Sequence, residues 1–380
     1  MRSHRSRPPI RSLAAPSSAL RRQRLNVAIA AALAIALSGC GAPNAVEPTL
    51  PDDWSHRGAS PERATQQRLV YSPYKHVPIA LSADDVISLA VPGGPVPVGA
   101  NGRSVLPPGV NVLTLAFATG ECGSETWDGL EPSRITSGNV HAFDQAGIDF
   151  IISTGGEAGS FTCTTDAGME AFVAHYASAR LIGFDFDIER GQSADVVASL
   201  VQRIKAAKTR HPELRISFTL ATWAASDGSL ASLNDDGQRV MQAIRDAGLR
   251  DFYVNLMVMD YGEAIPRNCV VSAGVCDMGR SAIQAARNMH VLYGLPMSRI
   301  ELTPMIGVND VVSNVFTLDD ARLLAGFVRD CGLGGLHFWS LDRDAPCAPG
   351  VAEVRSLTPA RFAARAGIRA QSDGTQSLPA

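Results

Sequence analysis

The chain has 380 residues, 46% of them hydrophobic and 19% charged, with a formal net charge of −3. That length holds one large domain or two ordinary ones, with ample apolar sequence for a core. The balance supplies no basic field, which excludes nucleic acid as an expected partner, and 34 Gly with 23 Pro favour a loop-rich globular enzyme.

The first 40 residues read as targeting rather than fold. Arg-rich sequence to Arg24 precedes the apolar run Leu25 to Leu37, interrupted only by Asn26. That run is well short of the ~20 apolar residues a membrane span needs, so it reads as the n- and h-regions of a signal peptide. The end, Leu37-Ser38-Gly39-Cys40, resembles a bacterial lipoprotein box with Cys40 as the lipidated residue. Export and a lipid anchor are therefore expected. Gly41 lacks the Asp that favours inner-membrane retention, which points to the outer membrane. Residues 41–67, rich in Pro, Ala, Asp, Glu and Ser, read as a flexible tether.

Export changes the meaning of the cysteines. Cys122, Cys163, Cys269, Cys276, Cys331 and Cys347 remain once Cys40 is set aside, an even set that allows up to three disulfides in an oxidising compartment. Sequence neighbours suggest Cys269–Cys276 and Cys331–Cys347, leaving Cys122–Cys163; other pairings stay open. Neither zinc-finger spacing nor a Cys-x-x-Cys pair is present, and the eight histidines show no His-x-x-x-His, so no metal site and no cofactor are expected.

From Arg68 onward, short apolar runs alternate with helical patterns, the arrangement of βα units around a parallel sheet. Eight runs qualify as strands: Leu69–Tyr74, Val112–Ala118, Ile148–Ser153, Leu181–Glu189, Ile216–Thr222, Phe252–Met259, Ile300–Ile306 and Gly335–Leu341. Helices are expected over 166–178, 194–210, 236–247, 278–293 and 318–331, the last opened by Thr317 as N-cap. Shorter ones are read at 84–89, 138–146 and 359–366. Eight strands over 68–366 fit a single (β/α)8 TIM barrel, an α/β fold. A doubly wound sheet is the competing arrangement, but no Gly-x-Gly-x-x-Gly turn follows the first strand. The polar stretch 367–380 reads as a tail.

One run differs from the others. Leu181 to Glu189 reads Leu-Ile-Gly-Phe-Asp-Phe-Asp-Ile-Glu. As a strand it places Phe184, Phe186 and Ile188 on one face and Asp185, Asp187 and Glu189 on the other. Neighbouring buried carboxylates cannot all ionise, so at least one pKa must rise, which is what a general acid requires at neutral pH. The competing reading is a structural ion-pair network, for which Arg190 is the one adjacent cation. In a barrel the chemistry gathers where strands end. Ser153-Thr154-Gly155-Gly156 closes the third run, Asp260 and Tyr261 follow the sixth, Asn309 and Asp310 the seventh, and Trp339 sits in the eighth.

At these residues the sequence resembles the family 18 glycoside hydrolases, the chitinases, in a bacterial branch. Asp185, Asp187 and Glu189 match the fourth-strand signature Asp-x-x-Asp-x-Asp-x-Glu, with Ile182 where the first Asp belongs. Ser153, Gly155 and Gly156 match the third-strand Ser-x-Gly-Gly. Met257 and Asp260 match Met-x-Tyr-Asp, with Met259 in place of the Tyr and Tyr261 available to take over its role. The stretches 254–262, 303–310 and 338–344 look like the same branch.

The resemblance implies a retaining hydrolase of chitin or chito-oligosaccharides that works by substrate assistance. Glu189 would be the general acid/base. Asp187 would orient the acetamido group, and Asp185 would hold Asp187. Asp260, Tyr261, Met257 and Ser153 would line the substrate site, and Trp339 would form its floor. Expected partners are N-acetylglucosamine-containing glycans and, through the lipid anchor, a membrane; the chain is expected to be a monomer. Other readings are an endo-β-N-acetylglucosaminidase on glycans or peptidoglycan, a non-catalytic sugar-binding barrel, and a phosphoesterase holding Mg²⁺ on the three carboxylates. Trp127 and Trp223 could each line sugar subsites or simply pack.

Overall fold

Alternating apolar residues in the eight runs build one parallel sheet that closes on itself. A computed structural model describes residues 69–344 apart from 92, 93, 108, 111 and 190. Cys40, the leader and tether, Cys347, the helix read at 359–366 and the tail lie outside the described residues.

The strands are β1 (Val70–Tyr71), β2 (Tyr74–His76), β3 (Val112–Ala118), β4 (Asp149–Gly155), β5 (Leu181–Asp187), β6 (Arg215–Ala221), β7 (Tyr253–Met257), β8 (Ile300–Thr303) and β9 (Gly335–Leu336). Their order is β1-β9-β8-β7-β6-β5-β4-β3-β2, every pair parallel. β1 and β2 are two halves of the first run, broken at Pro73, which has no N–H to give the ladder. On one side this run donates from Val70, Ser72 and Tyr74 to the carbonyls of Gly334, Leu336 and Phe338; on the other, Thr114 N–H donates to the Pro73 carbonyl. The first run thus joins the last strand to the second. The sheet is an eight-stranded TIM barrel.

Besides a short turn of helix at Val77–Ala80, six longer helices cover the described barrel: α1 (Pro132–Ala146), α2 (Asp166–Tyr176), α3 (Ala194–Arg210), α4 (Asp235–Ala247), α5 (Met278–Tyr293) and α6 (Leu318–Cys331). Thr165, Ser193, Asn234, Asp277 and Thr317 accept the orphan N–H at the starts of α2 to α6. Thr317 and Asp320 complete a capping box. Helix α1 starts six residues before the position read from the sequence, because Pro132 suits the first turn. The outward side chains of β5 meet these helices: the Phe184 ring lies 4.8 Å from Phe172 of α2. Each such Phe contributes about 2–3 kcal/mol of burial.

The short helix read at 84–89 is not formed. Ser88–Val91 instead pairs antiparallel with Gly94–Pro97. Asp85 adopts a positive φ of 58°, which a helix does not tolerate, and the residues from Ser88 onward pair as a strand. Cys122–Cys163 and Cys269–Cys276 are disulfides. Cys331 is also disulfide-bonded.

Candidate active site

The barrel interior is layered by the period-two alternation of its strands. Near the strand N-termini, Arg215 of β6 ion-pairs with Glu301 of β8, and its guanidinium lies 3.4 Å from the centre of the Tyr253 ring. His337 donates from Nδ1 to the Ser72 carbonyl at 2.9 Å and sets Nε2 3.4 Å from Glu301.

The next layer centres on Asp185, which is 2% exposed. Ser153 Oγ and Tyr74 Oη donate to its Oδ2 at 2.7 and 2.9 Å. Ser217 Oγ and Thr219 Oγ1 donate to Oδ1, both at 2.7 Å. Asn255 Nδ2 donates to Tyr74 Oη at 3.0 Å and Thr219 Oγ1 at 2.9 Å, and Thr303 Oγ1 donates to Asn255 Oδ1 at 2.8 Å. Four donors fill the lone-pair sites of a carboxylate. That donor set leaves Asp185 no face for a cation, which argues against the Mg²⁺ reading. It also replaces the ion-pair network with hydroxyls. Burial, then the charges of Asp185 and Asp187, push the Tyr74 phenol well above its ordinary pKa.

One turn of the pleat further along β5 stands Asp187, 6% exposed. Burial comes first in raising its carboxyl well above the aspartate range, followed by the charges of Glu189 and Asp185 and a hydrogen bond with Glu189. The rise expected for the acidic strand therefore falls on Asp187. Its Oδ1 is buried with no hydrogen-bond partner among the described residues. Glu189, just past the strand end, is half-buried.

Folding with a raised carboxyl pKa carries a pH signature. The contribution of Asp187 is fully present below the unfolded aspartate value and is lost as pH rises through the raised one. Asp187→Asn is therefore expected to flatten the fall in Tm on the alkaline side, measured by thermal denaturation across pH; an unchanged slope would contradict the raised carboxyl.

The glycines beside the pair are steric requirements. Gly155 has φ +84°, and a Cβ there would meet the Asp187 carbonyl oxygen at 2.1 Å. Gly156 donates its N–H to that same carbonyl at 3.2 Å, and a Cβ on it would strike the Phe117 ring at 2.8 Å. The glycines let β4 press against the backbone of Asp187.

Trp339 is half-buried, stacked on Phe117 at 5.6 Å and 20°, with Tyr74 at 6.0 Å and His76 at 5.9 Å. The Lys75–Asp342 ion pair and the Leu341 N–H to Tyr74 carbonyl bond fasten its loop to β2. Asp260 accepts from the Val311 N–H at 2.7 Å and donates its own N–H to Asn309 Oδ1 at 3.2 Å, tying the β7 and β8 loops together. Burial, then Asp310, raises the Asp260 carboxyl, opposed by the Val311 bond and Arg343. Asn309 is fully buried and bonds to the Met305 and Gly307 carbonyls, so its role is in the turn.

No model of a known protein family matches the chain. Among characterised proteins, it is 30% identical to Endochitinase 11 of Metarhizium anisopliae over 256 residues, covering 63% of this chain and 48% of that protein. It is 29% identical to a probable bifunctional chitinase/lysozyme of Escherichia coli over 256 residues, covering 62% of this chain and 28% of that one. The chain thus spans half or less of the length of these relatives. The catalytic domain of the hyperthermophilic chitinase from Pyrococcus furiosus has the same fold, with a TM-score of 0.56 and 23% identity over 81% of this chain and 90% of that domain. The chain is similar in sequence to these two chitinases and shares the fold of a chitinase catalytic domain.

In this chitinase-like barrel, the two departures from the family pattern sit beside the acidic layer rather than in it. Ile182 and Met259 are half-buried and displace none of the four donors to Asp185. Tyr261 is 1% exposed within the core, and its hydroxyl has no partner among the described residues. Met257 is buried at the end of β7. Ser153 is fully buried and donates its hydroxyl to Asp185. Trp127 is buried and donates to Tyr176 Oη at 2.8 Å, which makes it core; Trp223, past the end of β6, is 38% exposed.

Sequence alone does not single out Tyr74, Ser217, Thr219, Asn255 and Thr303. The available signal is a polar residue at an inward position of an apolar strand, as in Ile216-Ser217-Phe218-Thr219-Leu220.

Proposed function

We propose that the chain is a retaining glycoside hydrolase of chitin or chito-oligosaccharides. The observation that carries this reading is the Asp187–Glu189 pair at the end of β5. Its Asp187 Oδ1 is an open, buried acceptor, suited to an acetamide N–H. In the proposed reaction the acetamido oxygen of the sugar attacks its own anomeric carbon. Glu189 protonates the departing glycosidic oxygen and afterwards takes a proton from water. Asp187 holds the acetamido N–H and steadies the positive charge that grows there, with Asp185 fixing Asp187 from below. Trp339 offers its half-buried face to the apolar side of the pyranose. Asp260 completes the acetamide side. No metal or cofactor enters this scheme. Under the same reading the protein is exported, anchored through lipid on Cys40 and active as a monomer.

The deciding experiment is turnover of chitobiosides and chitotetraose, with the product anomers followed by NMR. The β-anomer is expected first. Cleavage of a high-mannose glycan instead would favour an endo-β-N-acetylglucosaminidase, and measurable sugar affinity with no turnover would favour a binding protein. Trp339→Ala is expected to raise KM for chitotetraose by about fivefold or more, since a stacked ring contributes on the order of 1 kcal/mol or above. An unchanged KM would remove Trp339 from the sugar site.

A further inference from the structure

Asn255 lies on β7, two strands away from the acidic strand, and is 1% exposed. Its amide donates to both hydroxyls, Tyr74 Oη and Thr219 Oγ1, that reach opposite oxygens of Asp185. Each hydroxyl has a single proton. The two oxygens lie 3.0 Å apart, close enough to bond to one another instead. With amide protons on both oxygens, the hydroxyls send their own protons to the carboxylate. The amide cannot turn round, because Thr303 Oγ1 donates to its carbonyl oxygen at 2.8 Å.

We propose that Asn255 is a positioning residue that aims the Tyr74 and Thr219 protons onto Asp185 and so keeps the proton of the acidic strand on the Asp187–Glu189 pair. Its bearing on turnover rests on the hydrolase reading above; the proton placement does not. Without the amide, Tyr74 and Thr219 bond to each other and Asp185 loses one of its four donors. A carboxylate short of a donor competes better for a proton, and Asp187 then gives up its own more easily. The other titratable or charged groups facing Asp185 among the described residues are Tyr74 from β2, Arg215 from β6, His337 beyond β9, and Asp187 from its own strand.

The test is a carboxyl-carbon NMR titration of aspartate-labelled protein, assigned with Asp185→Asn and Asp187→Asn, on the parent chain, Asn255→Leu and Thr303→Val. Both variants are expected to move the Asp185 signal toward the protonated form and to make Asp187 release its proton at lower pH, Thr303→Val by less. In parallel, kcat/KM at neutral pH should fall about tenfold in Asn255→Leu, with the acid limb of the pH profile displaced. A packing role alone would lower Tm and leave both carboxyl titrations where they were. Unchanged titrations in a folded Asn255→Leu overturn the proposal, and if that variant does not fold, unchanged titrations in Thr303→Val overturn it. Should the parent chain hydrolyse no chito-oligosaccharide, the hydrolase reading fails while the titrations still decide the role of Asn255.

Discussion

Glu189→Gln is expected to slow chito-oligosaccharide hydrolysis by about 10²–10⁴-fold, the contribution of one general acid. Gln matches Glu in shape but cannot give a proton to the glycosidic oxygen. The loss should fall on kcat with little change in KM, because the proton moves only in the transition state. A second consequence comes from the electrostatics. The Glu189 charge follows burial as a cause of the raised Asp187 carboxyl, so its removal should let Asp187 ionise at lower pH. Steady-state kinetics and a carboxyl NMR titration check the two together. Full activity in Glu189→Gln would take the acid role away from this residue.

Gly155→Ala should cost about 3 kcal/mol or more, several degrees in Tm, and take the activity with it. The added methyl would meet the Asp187 carbonyl oxygen at 2.1 Å, on a backbone held at φ +84°. Neither partner is a flexible side-chain tip, so β4 and β5 must move apart and Asp187 with them. Gly138→Ala is the contrast. Gly138 lies inside α1, where an added methyl would have no atom within 4 Å and φ is ordinary. There the substitution should stabilise by about 0.5–1 kcal/mol through helix propensity. Thermal denaturation of the two variants separates steric demand from loss of glycine as such; equal effects would mean that Gly155 is not a close-approach site.

The acidic strand is legible because a strand has a period of two. Once 181–189 is read as β structure, Asp185 and Asp187 share a face, Phe184 and Phe186 the other, and mutual repulsion forces a carboxyl pKa upward. Which carboxyl rises is not legible, since burial differs between neighbours in ways that only packing sets. The hairpin over 88–97 escapes sequence reading for a related reason: six residues carry too little periodicity to separate a turn of helix from a strand.

The eight runs, their parallel order and the acidic face follow from local alternation and spacing, which each segment carries within itself. The shell around Asp185 does not. Tyr74 and Asn255 are 181 residues apart in sequence and bond only because the barrel closes. Trp127 and Trp223 look alike in the sequence, each following a strand, yet one is fully buried and the other 38% exposed. Local sequence therefore determined the strand, the carboxylates and the glycines beside them, because period and sterics act between near neighbours. Closure of the sheet decided the hydrogen-bond shell, the carboxyl whose pKa is raised and the tryptophan left open to solvent, because those depend on contacts between distant strands.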